Sequence, residues 1–346
     1  MIIMIIIPLL VRGAEQIGME KTAEGIAWPG YLWMGFIFIF TSTLLFTDAL
    51  RYSIRFIFNQ LSGRFPDYVS SRNVCKIVLP LTVIASVYAF IEAGQIRSEH
   101  VVITSPKLHS SISRIRIVQI SDVHIGLLLQ ESRQKRILER VREAGPDILV
   151  STGDLIDGKL NRENSISGIN PLAELLASVP APYGKFAVIG NHEVYAGLPQ
   201  ALDFSRAAGF TILRNQSITL PNGITISGVD DLAATSKPLA APGTETALLN
   251  AAPPDSFHLL LKHRPEIVPE SDGRFDLQLS GHVHGGQLFP FNLLVRLRYP
   301  IPCGTTTTPT GSRIHVSRGT GTWGPPMRLF APPEVTIIDI VRQHPV

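Results

Sequence analysis

Long apolar runs dominate the first hundred residues, and the hydrophobic pattern changes abruptly after them. Residues 25–47 contain no charged side chain over 23 positions. At about 1.5 Å per residue, such a helix crosses a bilayer core of about 30 Å. Trp28, Tyr31 and Trp33 cluster at one end of the run, where amphipathic rings prefer the membrane interface. The pattern therefore predicts a transmembrane helix.

Two further apolar runs flank this segment. The run over residues 77–91 is shorter than the first. It reaches spanning length only if Lys76 snorkels and the helix continues toward Gln95. Residues 1–11 are apolar but too short to cross alone, and they lack the basic start and cleavage site of a signal peptide. They are interpreted as a partial or truncated span. Burial inside a soluble core is the alternative for all three runs, but the uncharged length near Trp33 favours the membrane.

From residue 115 the chain alternates strand-like and helix-like stretches, after a polar connector over 96–114. This alternation is typical of an α/β domain whose sheets are covered by helices. Residues 130–143 predict an amphipathic helix stopped by Gly145-Pro146, and 171–178 predict another with Asn170 as its N-cap. The predicted domains are a membrane helical region with a linker over 1–100 and a second domain over 101–346. The predicted strands are 115–120, 148–150, 186–189, 224–229, 258–261, 275–279, 313–316 and 335–340.

Composition narrows the possible classes of protein. The mean hydropathy is +0.21 and only 17% of residues are charged, which agrees with membrane segments. Cys75 and Cys303 lie too far apart in sequence to suggest a disulfide framework or a thiolate metal site. The net charge is +3 without a long basic run, so no binding to nucleic acid is expected.

Polar side chains with metal-binding chemistry follow five of the predicted strands. In open α/β sheets, sites form beyond the carboxyl ends of strands, and in the segment LSGHVHGGQ the two histidines stand two positions apart and project to one side. Two divalent ions need about this many ligands. An oxygen and nitrogen set without cysteine suits Mn, Fe, Zn, Co or Ni better than Mg alone. The candidate ligands are Asp122, His124, Asp154, Asn191, His263, His282 and His284.

In their order along the chain, the blocks DVH, GDLID, GNHE, a lone histidine and GHVH resemble those of the calcineurin-like metallophosphoesterase superfamily. The segments GHVHGGQ and SRGTGTWGPPMRLFAPPE are similar to its bacterial membrane-associated subfamily, and the resemblance covers residue 115 to the C-terminus. It implies an α/β (α+β) four-layer β-sandwich, in which a pair of sheets lies between helices and carries a two-metal site at its edge.

The resemblance also implies a role for each candidate residue. A hydroxide shared by two ions would attack the phosphorus of a phosphate ester, such as a phosphodiester or a lipid-linked pyrophosphate. His192 would assist the reaction, and Asp157 would orient His192 through a hydrogen bond. One ion would take Asp122, His124 and His284; the other would take Asn191, His263 and His282; and Asp154 would bridge them.

One block departs from the family's protein phosphatases. They continue with Asp-Arg-Gly where this chain has Asp157-Gly158-Lys159, so the arginine that would clamp a phosphate is missing. Lys159 supplies a point charge but not a bidentate fork. A protein phosphatase is therefore disfavoured.

Several polar residues have two readings. His263 is preferred to His258 as a ligand because it stands at the strand's end, whereas His258 is interpreted as a packed strand residue. His315 is interpreted as structural. Arg318 and Arg328 would either meet a substrate phosphate or form salt bridges.

Two classes of function are alternatives to a membrane-anchored metal-dependent phosphoesterase. A non-catalytic binding module with the same fold is disfavoured, because the ligand set and His192 are intact. A sensor or transporter is disfavoured, because the predicted spans hold few internal polar residues.

The surroundings of the predicted site suggest a partner and an orientation. Residues 288–302 are apolar with two arginines and follow the histidine block directly, so a lipid headgroup is a candidate substrate; inward packing as core is the alternative. The loop over 51–76 carries five basic residues against one acid. By the positive-inside rule this loop is cytoplasmic, which predicts a multi-pass cell-membrane protein with an extracytoplasmic catalytic domain.

Overall fold

The computed structural model describes residues 2–61, 71–128, 131–158, 171–234 and 244–343. The predicted N-cap Asn170 lies outside these ranges, and so does Lys159, which belongs to the block that differs from the protein phosphatases. The helices are α1 Ile2–Gln16, α2 Glu20–Leu61, α3 Ser71–Ala93, α4 Glu131–Ala144, α5 Pro171–Ala177, α6 Asn191–Ala207, α7 Thr244–Ala251 and α8 Phe291–Arg298. The strands are β1 Arg97–Ser105, β2 Arg114–Ile120, β3 Ile148–Ser151, β4 Lys185–Ala187, β5 Thr211–Ile212, β6 Gln216–Thr219, β7 Ile224–Val229, β8 Phe257–Lys262, β9 Leu277–Ser280, β10 Gly304–Thr307, β11 Arg313–Val316 and β12 Glu334–Arg342.

Within the described residues the strands form two six-stranded sheets, with the orders β1-β12-β2-β3-β4-β5 and β10-β11-β9-β8-β7-β6. The facing sides of the sheets enclose a core of aliphatic residues that includes Ile117, Val150, Leu259 and Leu279. Helices α4, α5 and α6 cover the outer face of the first sheet, and α7 and α8 cover the second. The predicted four-layer α/β sandwich is confirmed.

The polar connector predicted for 96–114 is wrong over its first half. Strand β1 occupies Arg97–Ser105 and pairs in parallel with β12. Its polar residues Ser98, Glu99 and His100 hide the pattern, because an edge strand buries few of its side chains. The predicted domain boundary at residue 100 falls inside this strand.

The two long N-terminal helices are apolar and exposed. Lys21–Gln60 and Asn73–Ala93 are long and apolar enough to cross a membrane, and only 17% and 28% of their most apolar stretches are buried. A helix from a soluble core would show the opposite. At about 1.5 Å per residue the 42-residue helix α2 is about 63 Å long, roughly twice the thickness of a bilayer core.

Helix α1 packs against the first half of α2. Ile7 and Val11 are buried against Ala23 and Ala27 of α2. Gly30 makes this approach possible, since a Cβ there would lie 2.1 Å from Cγ2 of Ile7. With 15 residues, α1 is too short to span alone, as predicted.

Helices α2 and α3 both meet the sandwich through the segment that precedes β12. Ile39 and Ala89 are buried in one cluster with Leu288, Met327 and Leu329. The backbone N–H of Arg328 donates a hydrogen bond of 2.8 Å to the carbonyl oxygen of Ala89. Helix α2 therefore meets the domain near its middle, and α3 meets it near its C-terminal end.

Candidate metal centre

The centre forms where strand ends from both sheets converge. Strands β2, β3 and β4 are parallel neighbours in the first sheet, and their ends deliver Asp122, Asp154 and Asn191. Strands β8 and β9 are parallel neighbours in the second sheet, and they deliver His263 and His282. Parallel strands end at the same edge, so the blocks that are separate in sequence meet in space.

One group of potential ligands joins the first and last blocks. Asp122, His124 and His284 are buried, and their ligand atoms all lie within 4.8 Å of one another. Nε2 of His284 is 3.0 Å from Nε2 of His124 and 3.5 Å from Oδ1 of Asp122. This group has the composition that the sequence predicts for one ion.

A second group lies beside it. The ligand atoms of Asp154, His263 and His282 also lie within 4.8 Å of one another. Nε2 of His263 is 3.2 Å from Oδ2 of Asp154, from Nδ1 of His282 and from Oδ1 of Asn191. Oδ2 of Asp154 is also 4.0 Å from Nε2 of His124 in the first group. Asp154 therefore stands between the groups, as a bridging ligand must.

Backbone strain is concentrated at these ligands. Asp122, His124, Asp154, His282 and His284 all have positive φ, between 51° and 71°. Residues with side chains seldom adopt this region, and such strain clusters at functional sites. In addition, Nδ1 of His124 is buried and has no hydrogen-bond partner among the described residues. Buried oxygen and nitrogen ligands on a strained backbone fit a site for divalent cations.

The electrostatics keep most of these imidazoles ready to bind a cation. Burial lowers the pKa of His124 to about 4 and of His282 to about 3, and it lowers the pKa of His284 well below its usual value. Their lone pairs are therefore free at neutral pH. Burial also works against protonation of His263, but the Asp154 carboxylate raises its pKa to about 10. A metal ion beside Asp154 would take the place of that proton.

Two glycines let the carboxylates approach the neighbouring loops. A Cβ at Gly190 would lie 2.2 Å from Oδ1 of Asp154, and one at Gly281 would lie 2.2 Å from Oδ2 of Asp122. Real Cβ atoms do not approach oxygen so closely. These positions therefore require glycine, which accounts for its presence in GNHE and GHVH.

Glu193 fixes the position of Asp154. Its buried carboxylate accepts hydrogen bonds from the backbone N–H groups of Gly190, Asp154, Leu155 and Ile156, at 2.7, 2.9, 2.6 and 3.3 Å. It thereby ties the loop after β3 to the start of α6. No sequence motif indicates these contacts, because the partner loop is 37 to 39 residues away along the chain.

His192 and Asp157 form the predicted pair. Nδ1 of His192 is 3.0 Å from Oδ1 of Asp157, and the His192 ring packs edge-on to the rings of Tyr195 and Trp323. Burial disfavours the imidazolium, but the hydrogen bond to Asp157 and the charge of Asp154 raise the pKa of His192 above its usual value. His192 is therefore set apart from the other histidines as a group that can hold a proton.

The remaining candidates have structural roles. His258 is buried in β8 with Nε2 2.9 Å from Oγ of Ser227, and it lies outside the ligand group that contains His263. His315 is buried in β11 and bonds Thr305. Arg318 pairs with Glu334 and Glu99 at 2.5 and 3.0 Å.

Arg328 is also structural. It is fully buried and donates hydrogen bonds to the carbonyl oxygens of His284, Arg318, Gly321 and Ala331. Neither it nor Arg318 is left to meet a substrate.

The two ligand groups border a cavity of 680 Å³. One wall of this cavity is not predicted by the sequence. His124, Asp154, Asn191, His192, His282 and His284 line one side, and residues from α1 and α2 line the other. Arg12, Glu15 and Tyr31 belong to that second side. No sequence signal connects them to the site, because they precede its first ligand by about a hundred residues.

Known proteins have sequences similar to this chain. The profile of the calcineurin-like phosphoesterase family matches residues 115–286. An uncharacterised metallophosphoesterase of Aquifex aeolicus is 39% identical over 264 residues, which cover 75% of this chain and 97% of the relative. A transmembrane protein with a metallophosphoesterase domain from Danio rerio is 31% identical over 277 residues, which cover 76% of this chain and 61% of that protein.

Coverage differs among the relatives. An uncharacterised metallophosphoesterase of Campylobacter jejuni is 36% identical over 229 residues, which cover 65% of this chain and 59% of the relative. The chain thus spans less than two thirds of the Campylobacter and Danio relatives but nearly all of the Aquifex one. The match to the Aquifex protein and the family profile agree with the geometry of the site, and the chain belongs to the calcineurin-like phosphoesterase family.

Proposed function

We propose that this protein is a membrane-anchored two-metal phosphoesterase. The observation that carries the proposal is that both ligand groups and the His192–Asp157 pair face one cavity. Asp122, His124 and His284 would hold one ion; Asn191, His263 and His282 would hold the other; and Asp154 would contact both. When bound, two such ions activate water and neutralise the charge of the phosphoryl group.

The protein's own residues supply the rest of the reaction. The Nδ1 atom of His192 is engaged by Asp157, so its Nε2–H is the proton that faces the substrate. As the bond between phosphorus and the leaving oxygen breaks, that oxygen takes the Nε2 proton. The oxygen of water forms the new bond to phosphorus and releases one of its protons to solvent, and solvent returns a proton to His192. Asp157 holds the imidazole in place and stabilises its protonated form.

Removal and return of metal test the proposal. Purified full-length protein with Mn²⁺ is expected to hydrolyse bis(4-nitrophenyl) phosphate, to lose this activity after treatment with a chelator, and to regain it when Mn²⁺ is added. Asp154→Asn should stay inactive after the same return of metal. Activity that survives complete removal of metal, or absence of any phosphoesterase activity in the loaded protein, would contradict the proposal.

The finer proposal is that the substrate is a phosphodiester or pyrophosphate of a membrane lipid. One face of α8 is exposed, since the exposed fractions of Phe291, Leu294 and Leu297 are 47%, 59% and 84%, while Val295 packs toward the second sheet. An apolar groove of 500 Å³ runs from Met34 and Phe38 of α2 past Phe291 and Leu294 to His282 and His284. This groove suits the hydrocarbon chain of a lipid, with its phosphate at the centre.

Charged substitutions on α8 should separate lipid from soluble substrates. Leu294→Asp and Leu297→Asp are expected to lower hydrolysis of a chromogenic diacyl phosphodiester in phosphatidylcholine vesicles by roughly tenfold, since each buries less apolar area in the lipid. Hydrolysis of bis(4-nitrophenyl) phosphate should stay unchanged. Val102→Asp, at a β1 position 69% exposed, is the matched control. Equal losses on both substrates would refute the lipid proposal.

The proposed orientation places the catalytic domain on the extracytoplasmic face. Helix α3 contacts the domain near its C-terminal end and α2 near its middle, so the end of α2 and the start of α3, which carry basic residues, lie away from that contact. An alkaline phosphatase fused after Val346 should be active, and one inserted within 62–70 should be inactive. A C-terminal reporter that functions only in the cytoplasm would overturn this orientation.

A further inference from the structure

Helix α1 forms one wall of the metal-site cavity. It contributes Pro8, Leu9, Val11, Arg12 and Glu15 to the lining, opposite the predicted metal ligands. A helix that served only as a membrane anchor would not need to border the metal ligands. The position of α1 therefore indicates a role in the chemistry of the cavity.

The helix is held in this position from two sides. On one side Ile7 and Val11 are buried against α2, and Leu127 and Leu128, from the loop after His124, pack on the same cluster. On the other side Glu15 is buried, and Oε1 of Glu15 approaches Gly158, where a Cβ would lie 2.8 Å from it. Gly158 directly follows Asp157, the partner of His192. Helix α1 is thus packed against both loops that present the catalytic groups.

The charges that line the cavity are unbalanced. Among the described lining residues the carboxylates are Glu15, Asp154 and Asp157, and Arg12 is the one lysine or arginine. Arg318 and Arg328 are already engaged with protein groups. A phosphate ester is anionic, and the oxygens that do not face the ligand groups need a donor of their own. A guanidinium matches two phosphate oxygens with two parallel hydrogen bonds.

We propose that Arg12 binds the non-bridging oxygens of the substrate phosphate, so that α1 is a substrate-binding element of the active site. This rests on the proposed function, because it assigns a residue to the phosphate of the same substrate. The side chain of Arg12 is exposed and lines the same cavity as Asp154 and His192, so it borders the space that a substrate would occupy.

The test uses the full chain in detergent, loaded with Mn²⁺, and two measurements. In Arg12→Met, which keeps the apolar stem, KM for bis(4-nitrophenyl) phosphate should rise roughly 10- to 100-fold, with a smaller change in kcat. The affinity for inorganic phosphate, measured by calorimetry, should fall by a similar factor. Arg12→Lys keeps the charge but cannot form two parallel hydrogen bonds. Its KM and its phosphate affinity should therefore lie between those of the wild type and Arg12→Met. Lys21→Ala is the control, because Lys21 is exposed at the start of α2 and lines neither cavity.

The outcomes separate this proposal from the proposed function. Unchanged KM and phosphate affinity in Arg12→Met, at full metal content, would overturn the role of Arg12 while leaving the phosphoesterase intact. A wild-type protein that binds phosphate but hydrolyses no ester would refute the function, and a weaker affinity in Arg12→Met would still support the phosphate site. If Arg12→Met loses metal or aggregates, Arg12→Lys decides, and wild-type affinity in that variant would count against the bidentate contact.

Discussion

Replacement of Asp154 by alanine is expected to reduce the bound metal well below two ions per chain and to abolish hydrolysis. Oδ2 of Asp154 lies between the two ligand groups, 3.2 Å from Nε2 of His263 and 4.0 Å from Nε2 of His124. Its removal leaves each group one ligand short and brings like-charged ions together without a carboxylate between them. Turnover should fall by more than about 100-fold, since loss of outer-shell partners alone costs about 10- to 100-fold.

Elemental analysis of the purified variant measures this loss directly. Asp339→Ala is a suitable control, because Asp339 pairs with Arg116 at 2.8 Å on the first sheet and is not part of either ligand group. That variant should retain two ions and wild-type activity. If Asp154→Ala keeps two ions, the bridging role is wrong.

Replacement of His192 by alanine should lower turnover while leaving most of the metal bound. Its Nδ1 is engaged by Asp157, and it is a proton donor in the proposed reaction rather than a ligand. The variant is expected to keep most of the metal, while kcat falls by about 10²- to 10⁴-fold, the range for loss of a general acid or base. Asp157→Asn should show a smaller loss, because the imidazole stays but its protonated form is less stable.

The paired result distinguishes the two roles. Metal content and kcat are measured on both variants in the same preparation. Equal depletion of metal in Asp154→Ala and His192→Ala would contradict the assignment of His192 to proton transfer.

The parts of this protein that the sequence predicts well are local. Strands such as Ile224–Val229 and Arg313–Val316 appear at the predicted bounds, because apolar residues alternate with polar ones along them. The ligand blocks could be found for a related reason: each stands at the end of a predicted strand, and the topology brings these ends together. The resemblance of the blocks then supplied the order of the ligands.

The features that escaped prediction depend on contacts between distant segments. Strand β1 reads as a connector because its neighbour β12 is more than 200 residues away. The role of Glu193 has no local signal, because the loop after β3 that it binds is 38 residues away in sequence. Arg12 and Glu15 read as the end of a membrane segment, since periodicity carries no information about which cavity a helix will border. Tertiary packing, rather than local pattern, determines these three roles.

The position of β12 has a consequence for biosynthesis. This strand lies between β1 and β2, paired in parallel with one and antiparallel with the other, so the first sheet closes only after residue 342 has been synthesised. The helices and both ligand groups precede that point in the chain. The first two strands therefore lack the partner that joins them until β12 has been made. Such nonlocal pairing makes folding slow, and we expect hydrolytic competence to arise only after β12 has joined the sheet.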